Sequence, residues 1–374
     1  VKCDNLNLSL DRSGKDWYKT EVLLTGRKPM IVRLPGLVDS HVHLRVPGGE
    51  YKEDFHSGSR AAIAGGFTTI LAMPNTNPPI TTPKLLTEIS HRAQKEALCD
   101  VLFFVGVSPA SIDQLPELSH QAVALKIYMN QTYGPLRVND LEQVSECYRH
   151  WETDRPIALH AEDKMIEDGI RLAAETGKRT HFCHVSRKRD IELIAKGKQN
   201  GVPITCEVTP HHLLLSKDDL ERLGNLGDMR PTLGSKSDVQ ALWDHLGTTI
   251  DCIASDHAPH TLAEKQSAGS PPGVPGLETS LPLMLTAISQ GKLSLERLIE
   301  LMSINPKRIY GIQDHQDTWV EVETEPEYVI KNENLYTKCK WSPFDGMKVK
   351  GKVVKVVIRS KIVFEYGKFS SYFQ

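Results

Sequence analysis

At 374 residues, 40% of them apolar and 25% charged, the chain is long enough for a barrel-sized core or two ordinary domains, and its composition excludes disorder. Its 45 Lys and Arg nearly cancel its 47 Asp and Glu, with no long block of one sign, so a small molecule is expected as ligand rather than nucleic acid or a membrane. The 7 scattered cysteines include no CxxC pair, no apolar run reaches the ~18 residues of a membrane span, and no signal-peptide pattern opens the chain; together these predict reduced thiols and a cytoplasmic protein.

Residues 1 to 33 carry Val, Ile, Thr and Tyr in strand-like patterns. Eight short β-rich runs follow, each ending in polar or turn residues: LPGLVDSHVH, TTILAMPN, VLFFVGV, ALKIYMN, PIALHAE, THFCHV, PITCEVTPHH and IDCIASDHAPH. Between most of them lie segments with helical spacing of apolar residues, among them PKLLTEISHRAQKEAL, NDLEQVSECYRHW, DKMIEDGIRLAAETG, RKRDIELIAKGKQNG and SDVQALWDHL. Strands that read as continuous apolar runs, each followed by a helix, predict a (β/α)8 TIM barrel over 34–316. AGSPPGVPG, at 268–276, is expected to be an ordered loop. Residues 317–374, with the alternating GKVVKVVIRSKIVFEYGKF, are expected to join 1–33 in a small β-sandwich formed by both chain termini.

Catalytic groups of such barrels sit at the C-terminal ends of the strands, and six of the eight runs end close to His, Lys, Cys, Glu or Asp. His41 and His43, two apart on a strand, project to one face and offer half a metal site; alone, the pair is equally a pair of surface histidines near a turn. His160, His184 and Asp256 end three other runs, and together the five suit zinc or a similar divalent ion with open positions for water. Lys126 lies inside the apolar VALKIYM, where an unpaired ammonium is costly to bury. Either it snorkels out at the strand end, or its amine has captured carbon dioxide as a carbamate able to bridge two metals.

HVHLRVPG, the fourth-strand lysine, the single histidines ending runs five and six, and SDHAPH together resemble the amidohydrolase superfamily, and within it the dihydroorotases. GGEYKEDFHSGSRAAIAGGFTTILAMPNT, CEVTPHHLLLS, MRPTLGS and PPGVPGLET are similar to the dihydroorotase domain of the multifunctional pyrimidine-synthesis proteins, over about residues 31 to 366. A chain that opens at Val1 fits a piece of such a larger polypeptide. The resemblance implies a binuclear zinc enzyme that interconverts N-carbamoyl-L-aspartate and L-dihydroorotate, and commonly pairs as a homodimer. It gives His41, His43, carboxylated Lys126 and Asp256 to one zinc, and Lys126, His160 and His184 to the other. A third zinc, proposed for animal-type members, would fall to Cys183 and Glu207.

The resemblance further implies that Arg45 grips the substrate carboxylate, joined by Asn75, Arg230 and His260, with Pro272 and Gly273 contributing backbone contacts. Metal-activated water would attack the ring carbonyl and Asp256 would carry its proton to the leaving nitrogen. The NQTYGPL stretch is expected to close over the substrate through Thr132 and Tyr133, the latter standing where the animal pattern has phenylalanine. Two other readings stay open: a sister hydrolase of neutral rings, of the dihydropyrimidinase or allantoinase kind, and a non-catalytic scaffold domain.

Overall fold

Segments whose side chains can be buried on both faces build the centre of a parallel barrel. The computed structural model describes residues 22–23 and 30–370. In chain order its strands are β1 (Val22–Leu23), β2 (Ile31–Pro35), β3 (Leu37–Val42), β4 (Phe67–Ala72), β5 (Asp100–Gly106), β6 (Ala124–Tyr128) and β7 (Ile157–His160). They continue with β8 (Thr180–Phe182), β9 (Ile204–Val208), β10 (Cys252–Ile253), β11 (Trp319–Val329), β12 (Lys348–Ile358), β13 (Lys361–Glu365) and β14 (Lys368–Phe369).

Strands β3 to β10 lie side by side in chain order, all parallel. A bridge between Val42 and His257, with His43 N donating to His257 O at 2.7 Å, brings the last strand back to the first and nearly closes the ring. Every residue of β3, β4, β6 and β7 is buried, which is why these runs show no polar alternation. All eight predicted runs lie on this barrel. The five predicted helical segments fall on helices Pro83–Glu96, Leu141–His150, Lys164–Thr176, Lys188–Gln199 and Lys236–Leu246.

The two ends of the chain meet in an antiparallel sheet of order β1-β2-β11-β12-β13-β14. The described strands of this terminal unit form one sheet, and helix Leu277–Ser289 lies against β12 as the opposite layer, with Lys350 N donating to Thr286 Oγ1 at 2.7 Å. Residues 1–21, 24–29 and 371–374, also expected in this unit, lie outside the described residues. Between β11 and β12 the chain crosses back over the barrel mouth: Trp341 Nε1 donates to His260 O at 2.7 Å, and Lys338 N to Glu53 Oε1 at 3.2 Å. Among the described residues no helix is long and apolar enough to cross a membrane, and all six described cysteines are free and buried.

Candidate active site

His41 is the penultimate residue of β3 and His43 the first residue beyond it, so the two rings project together into the barrel mouth, 5.3 Å apart at their centroids. His41 Nδ1 is 2.6 Å from Glu207 Oε1 and His43 Nδ1 is 2.7 Å from Asn75 Oδ1. Each acceptor fixes the proton on Nδ1, which leaves both Nε2 lone pairs facing inward. There they converge on Asp256 Oδ1, at 3.4 Å from His41 and 3.1 Å from His43.

The second pair comes from β7 and the end of β8. His160 Nδ1 lies 2.9 Å from His184 Nε2, while His160 Nε2 and His184 Nδ1 are buried without a hydrogen-bond partner. His160 Nε2 has Glu162 Oε1 at 3.6 Å, beyond hydrogen-bond reach, and buried imidazole nitrogens of this kind are costly unless something binds them. Lys126, on β6, has no exposed surface, and its Nζ has Cys183 Sγ as a neighbour at 2.9 Å. A thiol is a weak acceptor for a buried ammonium, so the lysine is under-satisfied as it stands.

Electrostatics favour ligation. Burial first, then the charge of Lys126, lowers His41 to about 4. Burial followed by Arg45 holds His43 well below its ordinary value, and burial likewise lowers His160 and His184. All four are neutral imidazoles at neutral pH, the form that binds metal. Burial raises the Asp256 carboxyl, partly offset by His41 and Lys126, which suits a group that must pick up and release a proton. Burial alone would raise Glu207 too, but His41 and His181 beside it hold its carboxylate well below the usual range. Three of the site residues also carry positive φ, Arg45 at 60°, His184 at 35° and Asp256 at 44°, a conformation retained only where surrounding structure enforces it.

The donor set fits divalent metal ions. His41, His43 and Asp256 offer ligand atoms within 4.8 Å of one another, as do His41, Cys183 and Glu207, and His160 and His184 line the same cavity. A small cavity with a free volume of about 30 Å³ opens over this cluster. Besides the ligands, its walls include Arg45, Asn75, Thr132, Tyr133, Arg230 and the turn at Pro272 and Gly273. His260 stands just behind that wall, its Nε2 3.0 Å from Arg45 Nη2 and 3.1 Å from Pro272 O. Gly273, at φ +134, is required where it is: a Cβ there would sit 2.7 Å from Ala258 O. Arg230 reaches the cavity with Nη1 held by Asp228 and, at 2.8 Å, by Met229 O.

The fold agrees with what known proteins show. The model of the amidohydrolase family matches residues 32–363. The chain belongs to the amidohydrolase family. Its relatives named dihydroorotase support its being a cyclic amide hydrolase. It is 45% identical to the multifunctional protein CAD of Squalus acanthias over 90% of its own length, and 34% identical to the dihydroorotase of Pyrococcus furiosus, covering 89% of this chain and 82% of that one. It spans 15% of the length of the CAD protein. Among solved structures, the L-hydantoinase (dihydropyrimidinase) of Arthrobacter aurescens superposes with a TM-score of 0.86 at 27% identity, covering 91% of this chain and 87% of that one. An inactive dihydroorotase-like domain of the Chaetomium thermophilum CAD-like multifunctional protein superposes with a TM-score of 0.78 at 26% identity, over 91% and 97%.

Several residues of the site escaped sequence reasoning. His181 and Ser40 both bind Glu207 Oε2, at 3.2 and 2.9 Å, completing the network that orients His41. His181 stands two before Cys183, so strand alternation could have flagged it. Lys52, in the loop after Arg45, reaches His260 Nδ1 at 3.0 Å; nothing local in the sequence announces that contact.

Proposed function

We propose that the chain is a dihydroorotase that reversibly cyclises N-carbamoyl-L-aspartate to L-dihydroorotate, with two zinc ions joined by a carboxylated Lys126. One observation carries the substrate choice. Arg45 is a buried guanidinium in the cavity wall whose hydrogen-bond neighbours are Pro259 O at 3.0 Å and His260 Nε2 at 3.0 Å, neither of them a carboxylate, so its charge is free to meet an anionic acceptor. A ring bearing a carboxylate supplies one; a neutral hydantoin or dihydrouracil does not.

His41, His43, Lys126 and Asp256 would hold one ion, and Lys126, His160 and His184 the other. Bound there, the pair would supply Lewis acidity that makes water nucleophilic near neutral pH and polarises a carbonyl. Arg45 and His260, with Arg230 and Asn75 nearby, orient the ring by its carboxylate. Asp256 takes the proton of the attacking water and gives it to the imide nitrogen as the ring opens; in the other direction it returns it, and cyclisation takes up one proton overall. The loop carrying Thr132 and Tyr133 contributes to the cavity wall, where it would close over the bound ring. A third zinc on Cys183 and Glu207 would have to displace the proton of a thiol that burial pushes up to about 12. By the same reading the chain acts in the cytoplasm, pairs as a homodimer and forms part of a larger pyrimidine-synthesis polypeptide.

The test offers dihydroorotate, dihydrouracil, hydantoin and allantoin to one zinc- and bicarbonate-loaded preparation. Dihydroorotate should turn over at least about 100-fold faster than the neutral rings. Preference for a neutral ring would transfer the chain to the dihydropyrimidinase reading, and a folded protein with neither zinc nor turnover would make it a scaffold domain.

A further inference from the structure

We infer that Lys52 is a positioning residue that fixes the tautomer of His260 and latches Tyr133, so that closing the loop and preparing the carboxylate-binding donors are one event. The inference rests on the dihydroorotase reading for its substrate and on geometry alone for the latch.

Lys52 Nζ is buried and has three neighbours, one for each of its protons: His260 Nδ1 at 3.0 Å, Tyr133 Oη at 3.1 Å and Glu264 Oε1 at 2.9 Å. Glu264, itself bound by Tyr51 Oη at 2.8 Å, balances the charge and keeps the ammonium in place. An ammonium and a guanidinium only donate, and a carbonyl only accepts. His260 meets a donor at Nδ1, whereas its Nε2 meets both the donor Arg45 Nη2 and the acceptor Pro272 O.

A neutral imidazole carries one proton, so the tautomer that satisfies most contacts has the lone pair on Nδ1, facing Lys52, and the proton on Nε2, facing Pro272 O. Burial, then Arg45 and Lys52, lowers the pKa of His260 far enough to exclude the doubly protonated ring. Lys52 therefore turns Nε2 into a donor. That leaves Arg45 Nη2 and His260 Nε2–H as two donors in contact, a conflict that a carboxylate placed between them relieves.

The same ammonium reaches the loop. Tyr133 Oη accepts from Lys52, its ring packs edge-on against His260 with centroids 5.0 Å apart, and its carbonyl accepts from Asn75 Nδ2 at 3.1 Å. Asn75 Oδ1 holds His43 Nδ1, so the loop tip is tied both to a metal-facing histidine and to the carboxylate-facing one. Gly134 follows at the tip with a φ of +107, a conformation that favours glycine. The hydroxyl of Tyr133, absent from a phenylalanine, is thus a working part of this chain's closed state.

Two variants and two readouts test the latch. In the wild type, ¹⁵N NMR of ring-labelled histidine should find His260 protonated on Nε2; Lys52→Met should yield mixed or Nδ1-protonated tautomers. The ratio of kcat/KM for dihydroorotate to that for its neutral carboxamide should fall about 10- to 100-fold in Lys52→Met, through KM more than kcat, with zinc content unchanged. Tyr133→Phe, a change at a partly exposed position that leaves folding intact, should lower the ratio several-fold, and the double variant should lose less than the product of the two single losses. An unaltered tautomer in Lys52→Met, or strictly multiplicative losses in the double variant, overturns the latch. Because the tautomer is read without substrate, that failure is distinct from finding that dihydroorotate is not the substrate.

Discussion

Glu207 shows how much a single buried carboxylate can organise. Its Oε1 accepts from His41 Nδ1 and, at 3.3 Å, from His184 N, and its Oε2 from Ser40 and His181, so one side chain ties β9 to β3 and β8. Replacing it with alanine leaves three buried side-chain donors unmet and frees the His41 ring to change tautomer. Glu207→Ala should cost about 3 kcal/mol in urea unfolding and weaken zinc binding by about 10- to 100-fold in chelator competition. Zinc affinity equal to that of the wild type would show that the ring is oriented by something else. Lys126→Ala, which removes the proposed bridge, should lower zinc content from about two per chain to one or fewer and abolish the ¹³C carbamate signal seen with labelled bicarbonate. At this scale the clustering residues were legible, because histidine, lysine and aspartate at strand ends are conspicuous in an apolar run. Glu207 came only from family resemblance and with a different role, since its neighbours Ser40 and His181 lie 167 and 26 residues away and leave no local pattern.

At the scale of elements, barrel strands and long helices were legible for a common reason: burial on two faces writes an unbroken apolar run, and burial on one writes a 3.6-residue period. The crossing segment between β11 and β12 was not, because it is held by single hydrogen bonds rather than by a periodic face. Glu278, in the first turn of helix Leu277–Ser289, accepts from Tyr336 N at 2.6 Å and Thr337 N at 2.9 Å and anchors that segment to the barrel. Burial, only partly offset by these two bonds, raises its carboxyl from 4.5 to about 7. The folded state therefore holds this proton more tightly than the unfolded one. The stability it contributes is complete below 4.5 and is lost as pH rises through about 7. The stability difference between wild type and Glu278→Gln should accordingly shift against the wild type by on the order of 2 kcal/mol between about pH 5 and about pH 8. Urea midpoints at the two pH values read it directly, and a difference that does not change with pH would place the ionised carboxylate in adequate company.

For the whole molecule, barrel and terminal sheet are joined at the site as well as beside it. The crossing segment delivers Trp341 Nε1 to His260 O and Lys338 N to Glu53, and Glu53 in turn meets His257 Nε2 at 3.3 Å, where the last barrel strand bridges to the first. The proposed metal ligands come from β3 and the residue after it, β6, β7, the end of β8 and the loop after β10, so ions bound at their centre would cross-link most of the ring. Unfolding separates these ligands, and a metal that binds the folded chain alone stabilises it by mass action. The proposed carboxylation of Lys126 would make that stabilisation depend on two solutes. Zinc with bicarbonate should raise the thermal midpoint by about 3–8 °C over the chelator-treated protein, whereas zinc in carbon-dioxide-free buffer should give a clearly smaller rise. A full shift with zinc alone would mean that the ions are held without the carbamate, and no shift under either condition would mean that the imidazole cluster does not serve as a metal centre.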